Sequence, residues 1–179
     1  TYLFCQQQNR YWFTCELVSG AEPGPELQSG IAAERYTWVF PCTLGGQSYL
    51  VASTESSGCV LMKMHEGGGW TGQTSGQWGA AHTAVLSQVR GQVFVTLLDS
   101  SYGWAVSYRV SADGIVANVN NDQMGVSEPV VVAYSMGEKS YLFAHSPDGR
   151  WTIGEVTAQG RVERGVPNPG NSGTWPAHH

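Results

Sequence analysis

The chain has 179 residues, a length that suits a single domain with its own core. Charged residues make up only 13 %, against roughly 25 % in an average soluble domain, while the 41 % hydrophobic content argues against a disordered chain. The net charge of −5, with nine scattered Lys and Arg, argues against nucleic acid as a partner. No apolar run approaches the ~20 residues that cross a bilayer, so no membrane insertion is expected.

The first short apolar strand is Tyr2-Leu3-Phe4, followed by the polar turn Gln8-Asn9-Arg10. A second strand, Trp12-Phe13-Thr14, runs on to Leu17-Val18 and Gly20. After a Gly- and Pro-rich stretch, Tyr36 to Pro41 reads as another strand, then Gly45-Gly46-Gln47 as a hairpin turn. The pattern restarts at Tyr49-Leu50-Val51, at Val93-Phe94-Val95 and at Tyr141-Leu142-Phe143, with starts 47, 44 and 48 residues apart. A Gly-containing turn precedes the last two as well, as Arg90-Gly91-Gln92 and Gly137-Glu138-Lys139. The second strand opens on Trp104 in the third repeat and Trp151 in the fourth, and on Cys59 in the second. Strand-length segments, frequent turn signals and the lack of a sustained 3.6-residue period make this an all-β chain.

Four meander units of about 45 residues, starting near residues 2, 49, 93 and 141, predict one domain over 1–179 folded as a four-bladed β-propeller with pseudo-fourfold repeats. The count of four argues against a trefoil, and an open sandwich would not require such periodicity. The chain starts partway through a repeat, and Thr174-Trp175-Pro176 corresponds to the element that precedes the Tyr-Leu strand elsewhere. The N- and C-terminal strands are therefore expected to pair and close the ring.

The four cysteines, Cys5, Cys15, Cys42 and Cys59, lack the C-x-x-C spacing of a zinc site. Cys5 and Cys15 face each other across a predicted hairpin, which leaves a disulfide or buried thiols as alternatives. His65, His82, His145, His178 and His179 fall at unrelated repeat positions, so no repeated metal site is expected. No nucleophile elbow, H-E-x-x-H or P-loop occurs, and close carboxylate pairs are absent, so the chain is not expected to be an enzyme.

A binding surface remains. Trp12, Trp104 and Trp151 recur where a polar turn meets a strand, with Arg10, Asp99, Asp148 and Arg150 nearby. An aromatic ring flanked by such groups can stack on the C–H face of a sugar while they take its hydroxyls. The competing reading is blade packing for the Trp residues and local turn hydrogen bonds for the Asp residues. Trp38, Trp70, Trp78 and Trp175 read as packing residues. The first expectation is thus a lectin-like protein with repeated glycan sites at blade edges. The alternative is a binder of one small molecule, pigment or metal ion in the central channel or an inter-blade pocket. Cys59, Met62, Met64 and His65 of the irregular second repeat would build that site. No other cofactor is expected, and a homo-oligomer is compatible with either reading.

The phrase from Tyr36 to Val51 (aromatic-Thr, Phe-Pro, a Gly-Gly turn, Tyr-Leu) resembles a repeat of secreted bacterial and fungal proteins. That resemblance implies a propeller-like, extracellular module and brings no functional residues with it. The Asp-Gly-aromatic turns are more loosely similar to those of propeller lectins. Ser146, Asp148, Gly149 and Trp151 also resemble the Asp-box turn of sialidase propellers, but the Gly and Trp follow the Asp too closely, and the segment reads as a turn only.

Overall fold

The computed structural model describes residues 2–18, 22–78, 81, 83–100, 104–126, 130–164 and 172–174. Among the described residues every regular element is a β-strand, and all the pairing is antiparallel. The first sheet holds β1 (Tyr2–Gln6), β2 (Tyr11–Leu17) and β3 (Pro23–Ile31) in meander order. The second holds β4 (Tyr36–Leu44), β5 (Gln47–Thr54), β6 (Gly58–Met64) and β7 (Trp70–Gln77). The third holds β8 (Thr83–Val89), β9 (Gln92–Leu98), β10 (Trp104–Ser111) and β11 (Gly114–Gln123). The fourth holds β12 (Val130–Met136), β13 (Lys139–His145), β14 (Arg150–Val156), β15 (Val162–Arg164) and β16 (Ser172–Thr174). The recurring apolar strand that starts each sequence repeat is β1, β5, β9 and β13, and the second, third and fourth sheets each begin one strand earlier, at β4, β8 and β12.

Two-residue turns join the strands the sequence marks with glycine. Leu44 faces Gln47 across Gly45 and Gly46, whose φ values are 56° and 80°. Val89 faces Gln92 across Arg90 and Gly91, at 48° and 76°. Two left-handed residues match the twist of flanking strands, which is why such turns select glycine. Strand β9 is buried from Val93 to Leu98, so both its faces are covered, and its near-continuous apolar run reflects that. In β13 the alternating Ser140, Leu142 and Ala144 are the buried positions.

Two compact units divide the chain, Thr1–Trp78 and Gly79–His179, with two sheets in each. In the first unit Leu50, Ala52, Met62 and Met64 form a core against Phe4, Tyr36, Val39, Val60 and Trp70. Polar side chains tie its two sheets together. Gln6 Oε1 accepts from the Tyr36 N–H at 2.8 Å, Gln28 Oε1 accepts from the Trp70 N–H at 3.0 Å, and the buried Thr14 hydroxyl donates to the Gly68 carbonyl at 2.8 Å. In the second unit Phe94, Leu98, Met124, Leu142 and Val156 belong to one core shared by its two sheets. The Ser140 hydroxyl donates to the Gln88 carbonyl, and Asp122 Oδ2 accepts from the Val162 N–H at 2.9 Å.

Two expectations change, and the alternatives left open for the cysteines narrow to one. The C-terminal segment does not extend β1 within the described residues. Ser172–Thr174 instead pairs with β14, Thr174 opposite Arg150 and Gly173 opposite Trp151. Together β15 and β16 form a broken fourth strand along β14, because short backbone segments satisfy their N–H and C=O groups on the nearest open edge. Trp175 and Pro176 lie outside the described residues. The cysteines are free thiols, and the β1–β2 register explains why. Cys15 sits opposite Leu3 and Cys5 opposite Phe13, so the two are diagonal rather than directly paired. Finally, the unusual residues of the second repeat do not converge. Met62 and Met64 belong to the apolar core, Cys59 is buried at a β6 position of opposite parity, and exposed His65 pairs its Nε2 with Thr71 Oγ1 at 3.0 Å. Among the described residues no group of three or more His, Cys, Asp or Glu could hold a metal ion. His82, His178 and His179 lie outside the described residues.

Candidate functional site

The turns carrying the expected glycan ligands are built alike, and their polar groups face inward on their own backbone. Asn9 Oδ1 accepts from the Tyr11 N–H at 3.1 Å, Thr54 Oγ1 from the Gly58 N–H at 3.0 Å, Asp99 Oδ1 from the Trp104 N–H at 3.0 Å, and Asp148 Oδ1 from the Arg150 N–H at 3.2 Å. Each opens the second strand of its repeat. Asp148 also accepts from the Ser146 hydroxyl and pairs with the Arg150 guanidinium at 2.7 Å. These hydrogen bonds, led by that of Ser146, hold its carboxyl down at about 2.

The three tryptophans divide. Trp12 lies opposite Gln6 and Trp151 opposite His145, the same register position in their sheets. In the third repeat the residue at that position is Ala105, opposite Leu98, because the preceding turn is one residue longer. A one-residue slip sends a side chain to the other face of the sheet. Trp104 is accordingly exposed, at 48 %, whereas Trp12 is buried at 7 % and Trp151 is half-buried. Trp151 stacks on Phe143 with ring centroids 6.2 Å apart.

A cleft of about 500 Å³ lies in the first unit. Its aromatic wall is Tyr36 and Trp70. Polar groups come from Glu34, Thr54, Ser56 and Gln77, and Gly58, Gly72 and Gly76 keep the floor open. Two residues of the sequence reading stand behind this wall rather than in it. The Trp12 ring lies 4.6 Å from that of Trp70, and Phe4 stacks on Trp12 at 6.2 Å and meets Trp70 edge-on at 6.3 Å. The Arg10 guanidinium donates to the Ala33 carbonyl at 2.7 Å, fixing the segment that carries Glu34. From the other side the Ser56 N–H and hydroxyl donate to Glu34 Oε2, at 3.2 Å and 2.5 Å. Those bonds lower the Glu34 carboxyl, while burial raises the Tyr36 phenol. The Trp70 Nε1 is buried and has no hydrogen-bond partner among the described residues.

Trp70 reads as packing in the sequence, and it does pack, but it also lines the cleft. Trp78 is a packing residue, 5 % exposed, its Nε1 donating to Ser53 Oγ at 3.1 Å. Glu34 and Gln77 escape the sequence reading because they belong to no repeated position, and Tyr36 enters it only as the start of a strand. The one available signal is the aromatic that opens β4, two residues after a carboxylate. A smaller cleft of about 250 Å³ in the second unit is lined by Arg90, Glu138, Lys139 and Glu155 among others, with Lys139 and Glu155 paired at 2.9 Å.

No protein-family model matches the chain, and no curated protein matches it either.

Proposed function

We propose that the chain is a non-enzymatic, lectin-like carbohydrate-binding protein whose four sheets are the blades of a four-bladed propeller and whose main site is the cleft beside Trp70. The observation that carries this reading is the lining: two aromatic side chains beside hydroxyl, amide and carboxylate groups in a space of about 500 Å³. Aromatic rings take the C–H face of a pyranose, and the polar groups take its hydroxyls. The volume falls within the roughly 300–1,000 Å³ common for small-molecule sites. The matching turns and registers of the four sheets support the propeller arrangement. Glu34 is the sole carboxylate lining the cleft among the described residues, and hydrogen bonds favour its ionised form. Hydrolysis of a glycosidic bond ordinarily uses two carboxylates, one of them protonated, so the lining supports binding without turnover.

The test is a glycan array followed by calorimetry with wild type and Trp70→Ala, with near-UV circular dichroism as a check on folding. Binding that Trp70→Ala weakens by at least tenfold is expected, the scale of a lost stacking contact of ~1.4 kcal/mol. Silence across a broad glycan panel would overturn the proposal. A small molecule retained in the native mass of purified protein would favour the single-ligand alternative.

The exposure of Trp104 favours a second, shallow contact in the other unit, where its ring stands beside the Asp99 turn. Such a contact would add avidity for multivalent glycans. Trp104→Ala should then reduce haemagglutination more than it reduces monovalent affinity.

A further inference from the structure

We propose that the cleft beside Trp70 selects glycans bearing a protonated amine, a free hexosamine over its acetylated form. The inference rests on the carbohydrate reading above and adds the charge of the ligand. Among the described residues lining the cleft, Glu34 is the sole charged side chain. No cation is among those lining residues: Arg10 donates to the carbonyl of the lining residue Ala33 at 2.7 Å, and Arg35 pairs with Glu55 at 3.7 Å. Nothing in the lining would therefore neutralise a sialic or uronic acid, and Glu34 would repel one.

The same lining suits a cation twice over. Tyr36 and Trp70 line the cleft with aromatic rings, whose quadrupoles attract an ammonium group, and Trp is the strongest such partner. Glu34 supplies a full negative charge. The Ser56 N–H and hydroxyl fix one of its oxygens, so the carboxylate is pre-oriented and stays ionised well below neutral pH. An acetylated amine keeps the stacking surface but offers neither charge nor cation–π attraction. The Glu34 side chain is solvent-accessible, so screening limits the gain to a moderate preference rather than an absolute one.

Calorimetry at about pH 6, where a hexosamine amine is protonated, with the glucosamine hexamer, the N-acetylglucosamine hexamer and choline decides the matter. The glucosamine hexamer should bind on the order of tenfold more tightly than the acetylated one. In Glu34→Gln, which keeps the side-chain shape and an acceptor for Ser56, the ratio should fall severalfold, to the smaller preference that the aromatic rings alone supply. Raising the salt should erode the preference in wild type as well, a check that needs no variant. Equal or tighter binding of the acetylated hexamer would overturn the amine inference and leave the carbohydrate reading standing. A preference left undiminished by Glu34→Gln would do the same. Binding of choline with neither hexamer bound would overturn the carbohydrate reading and this inference with it, as would silence of all three probes.

Discussion

The indole of Trp12 lies flat against Gly30, its cross-strand neighbour on β3, so closely that a Cβ at residue 30 would stand 2.9 Å from Cζ2 and 3.1 Å from Cε2. Trp151 and Gly173 repeat the arrangement in the fourth sheet, again at 2.9 Å. The pairing explains how a strand can carry so large a side chain against its neighbour, and it turns two glycines into packing residues.

Gly30→Ala should therefore destabilise the first unit. The new methyl must displace the Trp12 ring, which is itself wedged against Trp70 at 4.6 Å. A loss of about 1–3 kcal/mol is expected, the usual range for overpacking, read from urea unfolding. Because Trp12 backs the cleft wall, ligand affinity should fall together with stability. An unchanged unfolding midpoint would show that the indole moves aside freely.

Ser57→Gly should stabilise the chain. Ser57 has a φ of 63°, in the left-handed region, and the equivalent turn residue of the fourth repeat is Gly149 at 86°. Relief of the left-handed penalty outweighs the added flexibility of the unfolded chain, leaving a gain of about 0.5–1 kcal/mol. Gly149→Ala should produce the opposite shift. Thermal unfolding of the pair tests both, and shifts of the same sign would refute the assignment.

Acid should weaken the turn at Asp148. Its carboxyl titrates at about 2 in the folded chain, below its ordinary value of 3.8, through hydrogen bonds from Ser146 and Arg150. A depressed folded value means that the contribution is complete above the ordinary value and is lost as pH falls from about 4 to about 2. Asp148→Asn keeps a side chain able to form the turn but cannot titrate. Unfolding midpoints from pH 6 down to pH 2 should fall less steeply for the variant between pH 4 and pH 2. Parallel curves would remove Asp148 from the acid response.

All four cysteines should be titratable without a reductant once the chain is unfolded, since all are free. In the native chain they should react slowly. Cys15 and Cys59 are buried, and burial raises the thiols of Cys5, Cys59 and Cys42, the last to about 11. Fewer than four thiols in unreduced, denatured protein would point to a disulfide and contradict the β1–β2 register.

The sequence by itself determined the all-β class, the four repeats and the turns between strands, because these depend on local chemistry. Gly45-Gly46 can adopt the left-handed turn that joins β4 to β5, and the Val93-Phe94-Val95 strand recurs as Tyr49-Leu50-Val51 and Tyr141-Leu142-Phe143. Sequence also placed the polar turn beside Trp12, Trp104 and Trp151, but not the face each indole would take. One extra residue before Ala105 reversed Trp104, a consequence of the period-two geometry of a strand that is visible only once the register is known. Tertiary structure alone decided the cleft. Glu34 from the chain leading into β4, Tyr36 from the start of β4, Ser56 from a turn and Trp70 and Gln77 from β7 meet there, although they are separated in the chain and occupy no common repeat position. Repetition records what every sheet needs to fold, whereas a single cleft is built from the residues in which one sheet departs from the others, and only their packing brings those together.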